Sequence, residues 1–180
     1  GQWYVFYHRL THGSDYSRQA CAEPIQIEPD GSIHQVEISS CGLNGEPLKA
    51  EGKYPSVIAC NITNGKMPHL SNRKSKKPIP VVTHRGNERF ISNIDSKTTI
   101  TYKWFDFIKA DGEICFDIDS GSQGEMIVTA DDEVIARVPI NNFGRTTVSA
   151  KYHIQDLRRK SLSLKFSGKG SFNLYSFTFK

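Results

Sequence analysis

Long apolar runs are missing from this 180-residue sequence. Nothing in it approaches the roughly 20 consecutive apolar residues of a membrane-spanning helix, so no membrane partner is expected. A helical period is missing as well. The nearest stretch, Gln155–Lys160, would make one or two turns at most. Cysteine is sparse, at four positions: Cys21, Cys41, Cys60 and Cys115. No CxxC pair and no His at ligand spacing accompanies them, which argues against a zinc site. Cys21 and Cys115 fall in apolar strands and are expected to be buried free thiols. A Cys41–Cys60 bridge stays open, as do a secreted and a bacterial cytoplasmic location. A large excess of one charge is also lacking. The net charge is +4, concentrated at Arg73, Lys74, Lys76 and Lys77. That run reads as a solvated linker; no nucleic-acid module accompanies it, so no nucleic-acid partner is expected. The triplet Asn61-Ile62-Thr63 matches an acceptor sequon by pattern only and carries no weight.

Short runs of Val, Ile, Thr, Phe and Tyr are what the sequence does have, set between Gly, Asn, Asp and Pro clusters. This predicts an all-β chain with enough apolar material for a packed core. Trp3–Arg9 reads as a strand with aromatics on both faces, hence buried on both sides. A polar loop, LTHGSDYSRQ, follows. Ala20–Glu28 is a second strand, Pro29-Asp30-Gly31-Ser32 a turn, and Ile33–Ile38 a third strand. Ser39–Gly52 is a loop and Val57–Thr63 a short last strand. These few strands cannot close a core alone, but match one propeller blade of roughly 40–50 residues. No second copy of the pattern occurs. The chain opens as if in mid-domain and is expected to be the C-terminal part of something larger.

Residues 67–79 read as a linker. Beyond it lie nine short strands in about 100 residues, the pattern of an antiparallel β-sandwich of jelly-roll type. They are Pro80–His84, Glu88–Ser92, Thr98–Trp104, Glu113–Ile118, Glu125–Ala130, Val134–Pro139, Arg145–Ala150, Ser161–Phe166 and Ser171–Phe179. The last is apolar on both faces near its end and should lie centrally in its sheet. The expected division is therefore 1–66 as the final blade, 67–79 as linker and 80–180 as sandwich.

WYVFYHRLTHGSDYSRQACAEPIQIEPDGSIHQVEISSCGLNG, continuing through Tyr54–Cys60, resembles the end of the five-bladed propeller of glycoside hydrolase family 43. FISNIDSKTTITYKWFDF and LKFSGKGSFNLYSFTF resemble a sandwich akin to carbohydrate-binding module family 6. The resemblance implies hydrolysis of arabinosyl or xylosyl linkages in plant polysaccharides, with inversion. Inversion takes a general acid and a general base on opposite sides of the sugar. The family's carboxylates come from earlier blades. None of Asp15, Glu23, Glu28, Asp30, Glu37, Glu46 and Glu51 sits in a matching motif. No catalytic residue is therefore assigned, and the chain alone is expected to be inactive. Its implied partners are the missing N-terminal blades and a plant cell-wall oligosaccharide or polysaccharide.

The same resemblance implies that Arg18 reaches the sugar pocket, with His12 and Tyr16 bordering it. From position alone, each could be a solvated loop residue. His8 reads as a hydrogen-bonded structural histidine and Glu23 as an ion-pair partner of Arg9 or Arg18. On the sandwich, an aromatic face and amide groups would suit a sugar. Asn173 and Tyr102 match family positions, and Phe143 is the nearest occupant of the position where the family has a tryptophan. Trp104 reads as packing. No cofactor is implied. Such sandwiches often hold a structural calcium, but Asp95, Asp106, Asp117, Asp119, Asp131 and Asp132 match no loop motif, so no ligands are named. Two alternatives remain: a non-catalytic carbohydrate-binding module, and a structural sandwich that braces the propeller.

Overall fold

The computed structural model describes residues 1–65 and 78–180, and of Asp15 only the backbone. The basic run and nearly all of the expected linker lie outside the described residues. No α-helix occurs among the described residues. Gln155–Lys160 is irregular up to the start of a strand, consistent with its lack of a sustained apolar stripe.

Strands β1 (Trp3–Thr11) and β2 (Ser14–Ile25) form an isolated antiparallel hairpin, paired from Trp3–Ile25 to Thr11–Ser14. The expected polar loop shrinks to a tight turn at His12-Gly13, both at positive φ. Most of LTHGSDYSRQ is strand, because its polar residues face open surfaces. The hairpin is not buried on both sides. Phe6 is 69% exposed, Trp3 and Leu10 are also exposed, and His8 sits on the surface. Cys21 is half-buried for the same reason. The expected third strand, Ile33–Ile38, reduces to a single bridge between Ile27 and Ile33. The Asp30-Gly31 turn does form, with the Asp30 carboxylate accepting from Ser32 N at 2.9 Å.

The sandwich begins earlier than residue 80. Strands β3 (Leu48–Lys49), β4 (Gly52–Pro55) and β5 (Asn61–Thr63) all join its sheets. The remaining strands are β6 (Val81–Arg85), β7 (Glu88–Ile94), β8 (Thr99–Asp106), β9 (Asp111–Gly121) and β10 (Gln123–Ala130). They continue with β11 (Glu133–Ile140), β12 (Phe143–His153), β13 (Lys160–Lys169) and β14 (Phe172–Phe179). One sheet runs β11-β10-β13-β8-β3, with β5 also on β8. The other runs β12-β9-β14-β7-β6, with β4 also on β14. Strand β3 is parallel to β8, while β4 and β5 are antiparallel to their partners. Val57, expected in a last blade strand, lies instead in a 3-10 turn over Ser56–Ile58.

The core lies between the sheets. Ile100, Tyr102 and Phe105 of β8 meet Phe116 and Ile118 of β9 and Leu174, Phe177 and Phe179 of β14. Phe177 is the centre of an aromatic cluster, with ring centroids 4.7 Å from Tyr102, 5.6 Å from Tyr54 and 5.8 Å from Phe179. Strand β14 is flanked by β9 and β7, which explains its apolar residues on both faces. Close packing also dictates glycine at one crossing. A Cβ on Gly168 would stand 2.2 Å from the Gln123 carbonyl, and one on Gly124 2.2 Å from the Ser167 carbonyl. The two backbones approach closely there, which only glycine permits.

Candidate functional site

The first candidate surface is the hairpin. Its inner face is anchored to the sandwich by polar groups. Arg9 donates to the Val57 and Ala59 carbonyls and, at 3.2 Å, to Gln19 Oε1. Burial lowers the Arg9 pKa from its ordinary value, with nearby Cys21 opposing. Gln19 adds a bond to the Val57 carbonyl at 3.1 Å and accepts from Arg89 at 3.0 Å. Glu23, only 3% exposed, accepts from Ser39 N and Ser39 Oγ at 2.7 Å each and from the Tyr7 hydroxyl at 3.2 Å. It therefore ties a loop to the hairpin, and pairs with neither Arg9 nor Arg18 among the described residues. Between these anchors lies an apolar cleft of about 450 Å³, lined by Tyr7, Cys21, Ile38, Leu43, Val57 and Ile58 among others.

The outer face of the hairpin carries Phe6, His8, Leu10 and Arg18. Arg18 stands opposite Leu10 and is exposed. Tyr16 is 95% exposed beside it. His12 does not border an open pocket. Its Nδ1 is within 3.0 Å of Thr11 Oγ1 and 2.9 Å of Ser17 Oγ, and its Nε2 is 2.7 Å from His84 Nδ1 on β6. Both ring nitrogens are committed to holding the turn.

The second candidate surface is on the sandwich. Tyr102 cannot contact a ligand: it is 1% exposed, its hydroxyl donates to the Ser56 carbonyl at 3.0 Å, and its ring packs on Phe177. Its position on β8 points inward, and burial raises its pKa, keeping it a donor. Phe143 and Asn173 are placed differently. Asn173 opposes Asp119 on β9, Asp119 opposes Arg145 on β12, and Phe143 opposes Gly121, two residues further along β9. Opposed residues share a face, so Phe143, Asn173, Asp119 and Gly121 form one outer patch. Two strand spacings across and two residues along separate Phe143 from Asn173, roughly 12 Å, with Gly121 beside Phe143 and Asp119 beside Asn173 on the strand between them. Phe143 is 78% exposed. The Asn173 Oδ1 accepts weakly from Asn93 N at 3.4 Å.

Sequence reasoning did not find the neighbouring cluster. Arg145 donates to Glu88 at 2.6 and 2.5 Å and to Asp117 at 3.1 and 2.8 Å, and lies 3.9 Å over the Tyr175 ring. Tyr175 in turn packs on Phe90 at 4.7 Å. Tyr175 shares the outer face with Asn173 two residues before it, and a bulge between Leu174 and Ser176 then turns Phe177 and Phe179 inward, which alternation alone does not signal. Bonds from Arg145 hold the Glu88 carboxyl below its ordinary value of 4.5. A carboxylate with a lowered pKa stabilises the fold above its unfolded value and loses that contribution as pH falls through the folded one. Urea unfolding should therefore show a larger acid loss below about pH 4.5 in the wild type than in Arg145→Met. Equal losses would remove this pairing from the account.

The acids weighed as calcium ligands mostly hold protein partners. Asp106 accepts from Arg158 and Arg159, Asp131 from Lys160 and Ser161, and Asp95 from Lys97 and Thr98. Among the described residues no group of three or more His, Cys, Asp and Glu converges as a metal site. All four cysteines are free, so Cys41 and Cys60 do not bridge. Cys41 instead packs against the β8 backbone at Lys103 and Trp104. Trp104 is partly covered by Arg159 and Lys103, at 4.6 and 5.2 Å from its ring centroid.

No family model matches the sequence. A "Xylosidase/arabinosidase" of Thermoclostridium stercorarium is 35% identical over 190 residues, covering 99% of this chain and 40% of that protein. The chain thus spans less than half the length of the curated relative it matches. Among solved structures, a family 6 carbohydrate-binding module of Clostridium stercorarium in complex with cellobiose aligns with a TM-score of 0.60 at 17% identity, covering 76% of this chain and 98% of the module. A glycoside hydrolase family 43 arabinoxylan arabinofuranohydrolase of Bacillus subtilis in complex with cellotetraose aligns with a TM-score of 0.60 at 16% identity, covering 99% of this chain and 38% of that enzyme. Sequence and fold agree: the chain is similar over nearly its whole length to part of a xylosidase/arabinosidase, and it ends in a sandwich with the fold of a family 6 carbohydrate-binding module.

Proposed function

We propose that this chain is the accessory, sugar-recognising end of a glycoside hydrolase acting on arabinose- and xylose-containing plant polysaccharides. The observation that carries the reading is the match to a xylosidase/arabinosidase across hairpin and sandwich alike, 35% over 99% of the chain. The hairpin is the last piece of a propeller, and the outer face with Phe6, Leu10 and Arg18 meets the preceding blades. Both edges of its two-stranded sheet are otherwise unpaired, an arrangement that sheets avoid. Arg18 and Tyr16 then reach the sugar, the guanidinium donating to hydroxyls. The general acid and base belong to the preceding blades, since Glu23 is locked beneath Ser39. On the sandwich, the Phe143 ring takes the CH face of a pentose and the Asn173 amide bonds its hydroxyls. Gly121 leaves the strand beside the Phe143 ring free of a side chain.

Calorimetric titration with xylan and arabinoxylan oligosaccharides tests this. Binding is expected, and Phe143→Ala should weaken it about tenfold, the equivalent of about 1.4 kcal/mol for a lost stacking contact. Substitution of buried Tyr102 is not a useful control, because it would damage the core. The same preparation should hydrolyse no aryl xyloside or arabinoside. No heat at millimolar sugar would leave the sandwich as a brace, a reading favoured by β3–β5, which stitch the hairpin segment into both sheets.

A further inference from the structure

The turn of the hairpin is held to the sandwich by two histidines. His12 Nε2 and His84 Nδ1 are 2.7 Å apart, their rings edge to face at 4.7 Å. Beside them the His12 backbone N–H donates to the Val82 carbonyl at 2.8 Å. His12 sits at positive φ, the left-handed conformation that this tight turn shares between His12 and Gly13. An N···N contact of this length needs one N–H and one bare nitrogen. A neutral pair supplies them, and so does a pair with one extra proton. Two imidazolium rings cannot: both facing nitrogens then carry hydrogen, and two positive charges meet.

The surroundings offer little to offset that. Across the sheet His84 opposes Arg89, whose guanidinium is on Gln19. The next pair is Arg85 with Glu88, and the Glu88 carboxylate is taken by Arg145. On the hairpin side the charged residues are Arg18 and, three residues after His12, Asp15. The contacts of the His12 ring there are hydroxyls, Thr11 and Ser17.

We infer that the His12–His84 pair is an acid-released latch that joins the β1–β2 turn to the sandwich. Closed, the latch excludes one proton that the open turn accepts. Its equilibrium therefore shifts toward opening as pH falls through the ordinary imidazole range near 6.5, by up to tenfold per pH unit. The release is local. Arg9, Gln19 and Glu23 bind the rest of the hairpin through bonds to Val57, Ala59 and Ser39 that do not involve either histidine. What moves is the turn that carries Tyr16 and leads to Arg18. On the reading proposed above, acid thus uncouples the sugar-facing loop from the accessory module.

Amide hydrogen exchange of the chain, followed by NMR from pH 8 to 5 and corrected for the intrinsic rate, tests the latch without any sugar. Protection of the His12 amide should fall below pH 6.5, toward tenfold per unit, while the Arg9 and Gln19 amides keep theirs. His84→Gln keeps a hydrogen-bonding side chain that does not ionise, so His12 protection should become flat with pH. Asp15→Asn should leave the wild-type fall in place. A flat wild-type profile, or the same fall in His84→Gln, would overturn the proposal. Ring 15N shifts in the unaltered chain give a second readout: two rings titrating as independent, fully exposed imidazoles would also overturn it. A failed sugar titration leaves this result untouched, so the two proposals fail separately.

Discussion

Arg9→Ala is expected to detach the hairpin while leaving the sandwich folded. The side chain donates to two main-chain carbonyls and to Gln19, all on the face between hairpin and sandwich. The Ala59 carbonyl, left without a donor, costs about 1–3 kcal/mol, whereas the Val57 carbonyl keeps the Gln19 amide at 3.1 Å. The remaining anchors at Gln19, Glu23 and His12 do not replace that bond. Limited proteolysis should then cut between Trp3 and Ile25 about 30-fold faster than in the wild type, the factor that about 2 kcal/mol supplies. The sandwich should melt as before. Arg9→Lys should rescue little, because an ammonium cannot span both carbonyls and the amide in one plane. A cleavage pattern equal to the wild type would show that the apolar cleft, not Arg9, holds the hairpin.

Phe177→Ala is the other large effect, and it falls on the sandwich. The ring touches Tyr54, Tyr102, Phe105, Phe116 and Phe179. Removing a fully enclosed Phe costs about 3–5 kcal/mol in transfer and cavity terms together. That is a large share of the 5–15 kcal/mol that typically separates folded from unfolded chains. Chemical denaturation should show the midpoint falling steeply with little change in slope. Phe177→Leu, which refills most of the volume, should recover more than half of the loss. Because Tyr54 belongs to β4, the Phe177→Ala variant should also loosen the segment that leads back to the hairpin. A loss below 1 kcal/mol would mean that the neighbouring rings collapse into the space.

The sandwich could be read from the sequence because its strands are short, alternating and punctuated. All nine expected strands overlap β6–β14, and the central place of β14 followed from Phe172 and Leu174 alternating with Tyr175, Phe177 and Phe179. The first 65 residues read less well. Trp3, Val5 and Phe6 look buried by composition, yet they face solvent in this chain, since alternation reports an apolar face and not what covers it. Ile33–Ile38 has strand-like residues but pairs only through the single Ile27–Ile33 bridge. Leu48, Tyr54 and Ile62 are too isolated to signal strands; they pair because long-range edges of β8 and β14 are free to take them. At the candidate sites, Phe143 and Asn173 lie near the starts of β12 and β14, while Arg18, expected in a loop, lies within β2. Tyr102 was misread because a tyrosine in an alternating strand gives no sign of which face carries it. The His12–His84 contact joins residues 72 apart and has no local signature at all.

The strands β3–β5 bear on anyone who would move this sandwich into another protein. A cut at residue 80, where the sequence seems to invite it, would leave both sheets short. Strand β14 would lose Gly52–Pro55 along Ser176–Phe179, and β8 would lose partners on the side where Leu48 and Asn61–Thr63 now lie. Two raw edges, one beside the Phe177 cluster, would then face solvent. The portable unit starts no later than Leu48, and the family 6 module, which aligns with 76% of this chain, likewise reaches well before residue 80. A graft cut there keeps both sheets whole.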